Sequence, residues 1–422
     1  MQTMNRVSNE AINRNPWSER EKLPPVSPIH KAFAAIAVFL SALGLPICLW
    51  SGISAEFSEI LGIALLILLC VYIVKVARST PALALILCTA FFLTFSGVSF
   101  TGGALVLAVI VSIAAGAFLM TSTDRPYLTL LCHAAAFGVA FVITRDLVGS
   151  LLTFAVLPAS LLMAYATLKA MWRTRVICFA AGGLIFTVAV VLIFHLQYAG
   201  VAFERGALVA YVDTLRAQLI DVLLSARNAS FEAWKALPSG EKLYEQFQAL
   251  YTDEMIRMTV AQLFNLLPSL LIVFCLVLSY EANSFLLAVH KSAGLEAVNT
   301  EVARCFSVGI PAAVIYFISF TLMLFLPSNS MASAVVQNLT LILLPGLALF
   351  GARRLLLLLY RLQGMMRALL LIGIFALLLC NLGTGLYLLA LWGAYTCIGD
   401  LFRVMLLERM TKNGGDGDEP RE

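Results

Sequence analysis

The chain has 422 residues, of which 61% are hydrophobic and 12% charged, and its mean hydropathy is +0.93. Soluble domains average about 45–50% apolar and about 25% charged residues, so this composition excludes a water-exposed globular protein and predicts an all-α polytopic integral membrane protein. The formal net charge of +4 belongs to loops, where sidedness matters more than the total, and it gives no nucleic-acid reading.

Residues 1–31 are mostly polar and lack an apolar h-region, which argues against a cleaved secretory signal and predicts a cytoplasmic tail. Apolar windows follow at about 32–51, 58–76, 81–98, 103–120, 127–143, 147–170, 176–197, 258–280, 308–326, 332–352, 366–381 and 384–400. A spanning helix takes about 20 apolar residues, so twelve windows account for about 240 residues and leave room for one modest extramembrane element and no separate catalytic domain. With the N-terminus inside, Lys and Arg number 21 on the inner side and one, Arg145, in the short outer loops. That bias predicts about twelve spans with both termini cytoplasmic. The resulting organisation is a tail over 1–31, a bundle of about seven helices over 32–199, an extracytoplasmic segment over 200–257, a bundle of about five helices over 258–410, and a disordered cytoplasmic tail over 411–422. The fifth and sixth windows meet at Thr144-Arg145-Asp146 with almost no loop, so they are either two spans or one broken or re-entrant element.

Within 204–227, Leu208, Tyr211 or Val212, Leu215, Leu219 and Val222 recur at helical spacing, with Glu204, Arg205, Asp213, Arg216 and Arg227 on other faces. This predicts an amphipathic helix with Leu215 and Leu219 shielded and Asp213 and Arg216 wet. It either caps the bundle, lies in the membrane interface or forms a lid over a cavity. Pro238-Ser239-Gly240 then breaks the chain before a second stripe at Leu243, Phe247 and Leu250.

Nine cysteines are scattered singly through apolar runs and read as small buried hydrophobes. The four histidines, His30, His133, His195 and His290, have no partner at metal-ligand spacing, so no metal or cofactor is expected. His133 is either a packing histidine or a proton relay. No H-E-x-x-H, G-x-S-x-G or GxxxxGK[ST] occurs; the expectation is a non-enzymatic protein without its own ATPase.

Polar side chains at membrane depth carry the remaining information, because leaving them unpaired in hydrocarbon is costly. Gln262 and Asn265 lie three apart just before Pro268, where a proline frees a backbone carbonyl and kinks the helix. Gln337 and Asn338 open the tenth window at similar depth. The four together are the candidate substrate-binding residues, the alternative being that the amides bridge helices. On the inner side, Arg353, Arg354, Arg361 and Arg367 gather with Asp400 and Arg403, which are spaced to pair on one helix face; this is either positive-inside anchoring or a surface for docking a cytoplasmic partner. Small residues in Ser112-x-x-x-Gly116 and Ala134-x-x-x-Gly138 permit close helix crossings.

The run from Leu266-Leu267-Pro268 through Leu278-Ser279-Tyr280 to Gly294, then Tyr360-Arg361-Leu362-Gln363-Gly364 and Ile398-Gly399-Asp400-Leu401-Phe402-Arg403, resembles the C-terminal signature of the YybS-like family of bacterial multi-pass membrane proteins, most specifically over 258–410. That family has no established activity and is distantly similar to the substrate-binding S components of energy-coupling-factor transporters, which dock on a separate ATPase module. The resemblance implies a bacterial inner-membrane protein, partnered by the lipid bilayer and by a separate membrane or ATPase partner. It departs in having about twelve expected spans where an S component has six. The function expected is transport-related, with a small-molecule cavity in the outer half of the bundle. The rival is a scaffold or assembly protein that anchors a partner and transports nothing.

Overall fold

The computed structural model describes residues 103–122, 127–145, 147–235, 247–248, 251–292, 306, 308–327, 330–368, 371–372 and 382–413. The windows at 32–51, 58–76 and 81–98, most of 366–381, and both expected tails except 411–413 lie outside the described residues. Among the described residues every regular element is a helix. In chain order these are α1 (Gly103–Ser122), α2 (Tyr127–Thr144), α3 (Leu147–Ala155), α4 (Leu157–Leu168), α5 (Arg173–Tyr198), α6 (Arg205–Lys235), α7 (Asp253–Ser292), α8 (Ile310–Phe325), α9 (Met331–Arg361) and α10 (Leu382–Asn413). By length and composition α5, Asp253–Lys291 within α7, and α9 are each able to cross a membrane.

The helix ends follow from local chemistry. At the start of α7 the Thr252 hydroxyl accepts the Met255 N–H at 3.2 Å, and Asp253 and Glu254 occupy the first turn, where the helix dipole favours negative charge. The resulting helix of 40 residues is about 60 Å long, twice the bilayer's hydrocarbon thickness of about 30 Å. Ser330 caps α9, accepting the Ser333 N–H at 3.1 Å. At the other end of α5, Val201 N–H reaches back to the Leu196 carbonyl at 2.9 Å while Gly200 takes φ +68°, a left-handed stop that glycine adopts without strain.

The doubtful junction between the fifth and sixth windows resolves into two elements. Arg145 takes φ +52°, and the chain reverses there, so that His133 and Phe137 of α2 face Thr153 and Phe154 of α3. The window 147–170 is not one regular helix. It breaks at Val156, because Pro158 stands at the second position of α4 and has no N–H to continue the ladder.

The chain divides into two compact units, each drawn from two stretches of sequence. The first takes residues up to Ala189 together with Phe274–Ser307. Its core sets Ile113, Ala117 and Phe118 of α1 with Ala159 and Met163 of α4, Ala180 of α5, and Ala282 and Leu286 of α7. A methyl group at Gly116 would stand 2.8 Å from the Ser160 hydroxyl oxygen, so the Ser112-x-x-x-Gly116 face is a close crossing; around Gly138 nothing among the described residues lies within 4 Å.

The second unit takes Val190–Val273 and the chain from Val308 onward. Here α8, α9 and α10 pack pairwise around Ala313, Tyr316, Leu347, Ala348, Ala390 and Ala394. The tightest crossing joins α9 to α10. A Cβ on Gly351 would strike the Leu389 carbonyl oxygen, and one on Gly393 would strike the Leu347 carbonyl oxygen.

In the same unit α6 forms, but its shielded face differs from the expected one. Ile220 and Phe231 are buried, whereas Leu215 is 39% and Val222 63% exposed. Arg216 is half-buried rather than wet, its guanidinium 5.8 Å from the Phe264 ring centre. Arg227 donates to Asp253 Oδ1 at 2.6 Å and to the Tyr251 carbonyl at 2.8 Å. These charged and aromatic contacts set the rotation of the helix, and an apolar period does not register them.

Gly393→Ala is expected to lower stability in detergent by about 1–3 kcal/mol through overpacking. Gly399→Ala, six residues on in the same helix with nothing within 4 Å, should be neutral or stabilise by up to about 1 kcal/mol. Thermal melts of the two variants check this; equal melting temperatures would contradict the crossing.

Candidate functional site: polar clamps at two helix breaks

Pro268 lies inside α7. A proline within a helix has no N–H for the carbonyl four residues back, here that of Phe264, and its ring crowds the preceding turn. Asn338 of α9 binds at that same turn. Its Nδ2 donates to the Asn265 carbonyl at 2.9 Å, three residues before the proline, and to the Ala334 carbonyl of its own helix at 2.7 Å. Its Oδ1 accepts from the hydroxyl of Ser269, which is buried. Both amide hydrogens and the amide oxygen are therefore engaged. One residue earlier, Gln337 Nε2 donates to Ser333 Oγ at 3.2 Å, which the Ser330 cap places at the start of α9.

Of the four candidate binding residues, Asn265 and Asn338 come together, but through the backbone carbonyl of Asn265. The side chains of Gln262 and Asn265 are exposed. Ser269, which completes the clamp, carried one usable sequence signal: it directly follows the proline.

The first unit holds the same device. The Thr187 hydroxyl of α5 lies 2.8 Å from the Ala155 carbonyl, which it donates to across helices, and Ala155 is again three residues before a proline, Pro158. Nothing in the apolar pattern of α5 singles out Thr187.

Two histidines of the first unit are fully enclosed. His133 Nδ1 donates to the Thr153 carbonyl at 2.8 Å, the carbonyl having no proton to give, which leaves Nε2 as a buried lone pair without a partner. His290 Nε2 lies 2.7 Å from Thr121 Oγ1, beside the Phe118 ring. Arg173 at the head of α5 is held by neutral groups: its Nε donates to Asn283 Oδ1 at 3.2 Å, one terminal N–H to Ser284 Oγ at 2.6 Å, and its guanidinium sits 4.7 Å from the Tyr280 ring centre. Sequence reading missed this cluster, since its members stand about 110 residues apart. Among the described residues no three His, Cys, Asp or Glu side chains gather as a metal would require.

On α9, Arg354 pairs with Asp400 of α10 and lies over the Phe350 ring at 5.2 Å. Asp400 thus pairs with a neighbouring helix; the side chain of Arg403 lies outside the described residues. Arg353, Arg361 and Arg367 are exposed.

Chemically the clamps can hold helices together through side-chain bonds to main-chain carbonyls near prolines; they place no nucleophile beside a base. No family model, characterised protein or solved structure matches the chain.

Asn338→Leu should destabilise the protein by about 1–3 kcal/mol, because it removes the bond to the Asn265 carbonyl and takes from the buried Ser269 hydroxyl its Asn338 acceptor. Gln262→Leu, at an exposed position, should change stability by less than about 0.5 kcal/mol. Chemical or thermal unfolding in detergent measures both; equal effects would refute the clamp.

Proposed function

We propose that the chain is a non-enzymatic multi-pass membrane protein that works as a scaffold, holding its helices in fixed relation and anchoring a partner. The carrying observation is the saturation of Asn338: with both amide hydrogens given to carbonyls and its oxygen taken by Ser269, it has no donor to offer a solute. Exposed Arg353, Arg361 and Arg367 suit an acidic cytoplasmic partner or the headgroups beside it. On this proposal the chain makes about twelve spans in a bacterial inner membrane, both termini are cytoplasmic and 200–257 lies outside, as the 21 to 1 distribution of Lys and Arg favours.

A second reading, transport-related, rests on Gln262 and Asn265, whose exposed side chains stand three apart on an otherwise apolar stretch and are suited to line a cavity for a small polar molecule. A kinship with the YybS-like family belongs with this reading.

Thermal-shift measurements against a metabolite library separate the two. The scaffold proposal expects no metabolite to stabilise the parent and a Gln262→Leu, Asn265→Leu double variant to melt like it. A metabolite that raises the melting temperature of the parent and not of the double variant would favour transport. For the topology, Ser239→Cys should react with an impermeant thiol reagent in intact cells; absence of labelling, with labelling after lysis, would invert the orientation.

A further inference from the structure

Among the described residues four arginines are half-buried: Arg173, Arg216, Arg227 and Arg354. Three of them pair with a carboxylate, Arg216 with Asp213 at 3.8 Å, Arg227 with Asp253 at 2.6 Å and Arg354 with Asp400. Arg173 is the exception. Asn283, Ser284 and the Tyr280 ring hold it, and among the described residues no carboxylate does. A guanidinium withdrawn from water bears the cost of its charge until a counter-ion answers it; neutral groups orient that charge without cancelling it.

The contacts leave a defined part of the group free. A guanidinium carries five N–H donors. Nε gives its own to Asn283, which is itself buried, and one terminal nitrogen gives one of its two to Ser284. The edge formed by Nε and that nitrogen is therefore turned to α7, the Tyr280 ring lies over the group at 4.7 Å, and the far end, with both terminal nitrogens, keeps three N–H. Such an end is a planar fork matched to two oxygens of one phosphate.

Depth narrows the source of that phosphate. Over 176–198 α5 carries no Asp, Glu, Lys or Arg, and over 258–280 neither does α7. Arg173 and its partners thus stand where two apolar stretches end together, on helices long and apolar enough to span, which is headgroup level. Trp172 and Tyr280 at this height are residue types that favour the membrane boundary. The surroundings are positive: Lys169 and Arg175 are exposed, no acid occurs over 147–203, and Glu281, beside Tyr280 on α7, is exposed.

Beyond either reading of the function, we propose that Arg173 is a binding site for the phosphate diester of an anionic phospholipid. The free end of its guanidinium takes two phosphate oxygens, Asn283, Ser284 and the Tyr280 ring fix its plane, and Lys169 and Arg175 strengthen the attraction. A soluble phosphate offers the same oxygens but has no apolar tail to keep it at the end of two spanning helices.

The test titrates the full-length protein in nonionic detergent with phosphatidylglycerol and reads bound lipid by native mass spectrometry. Arg173→Gln should weaken binding at least about tenfold, whereas Arg361→Gln, an equal loss of charge at an exposed arginine, should change it by less than about twofold. Phosphatidylcholine, whose headgroup carries its own cation, should bind the parent more weakly. A second measurement needs no variant to fold: in the parent, phosphatidylglycerol should protect Arg173 from phenylglyoxal, followed by peptide mapping, while Arg361 stays reactive and inorganic phosphate at the same concentration gives no protection. Equal weakening by the two substitutions would overturn the proposal, as would phosphatidylcholine binding as tightly as phosphatidylglycerol. So would an Arg173 that stays reactive under saturating phosphatidylglycerol, or protection by inorganic phosphate as strong as by lipid, which would make a soluble anion the occupant.

Discussion

A main-chain carbonyl inside an apolar protein needs a donor, and at two places in this structure a side chain of another helix supplies one close to a proline. Pro158 stands at the second position of α4 and Pro268 inside α7, and in each case the carbonyl three residues earlier is met by a side chain of another helix, Thr187 on Ala155 and Asn338 on Asn265. In water a released carbonyl would simply be hydrated. In hydrocarbon it costs several kcal/mol unless a donor is supplied. At these two prolines a second helix passes with a donor at the right height, and each such bond joins two helices.

Between these polar points the helices are held by shape. In the first unit alanines and small polar residues of α1, α4 and α5 interdigitate, and in the second the three helices α8, α9 and α10 converge on alanines and one enclosed tyrosine. Such packing suits a chain whose surroundings are as apolar as its own side chains, where bringing helices together releases little ordered water and close approach must supply the attraction. Arg173 rests on amide, hydroxyl and ring, and Arg354 on a carboxylate and a ring, so each carries partners suited to a poorly hydrated position.

How much of this was legible in the sequence depends on whether a feature is local. The apolar windows at 103–120, 127–143 and 308–326 coincide with α1, α2 and α8 to within about two residues, since a run of apolar residues between polar breaks needs no tertiary information. The window at 258–280 undershot α7, whose ends are carried by Thr252, Asp253 and polar residues through Lys291 that hydropathy discounts. Of the candidate site, Pro268 pointed to the right turn of helix, but the residue that answers it lies 73 positions away from Asn265, and nothing in the sequence said that Asn338 would meet a carbonyl rather than a side chain. The rotation of α6 was misread because two arginines and a phenylalanine ring set it. Ser112-x-x-x-Gly116 and Ala134-x-x-x-Gly138 look alike in sequence, and among the described residues only the first meets another helix at its glycine.

The crossing of α9 and α10 also sets limits on how this sequence can change. At Gly351 and Gly393 the atom in the way of any side chain is a main-chain carbonyl oxygen of the facing helix, and a main-chain atom cannot be trimmed by mutation. At Gly116 the obstacle is the Ser160 side chain, so a larger residue there is open to rescue by Ser160→Gly. No such second-site suppressor exists for the α9–α10 pair, whose accommodation requires the two helices to part along their length. The two glycines are thus each fixed independently, and a lineage that lost one would have to rebuild the contact between the helices rather than repair it.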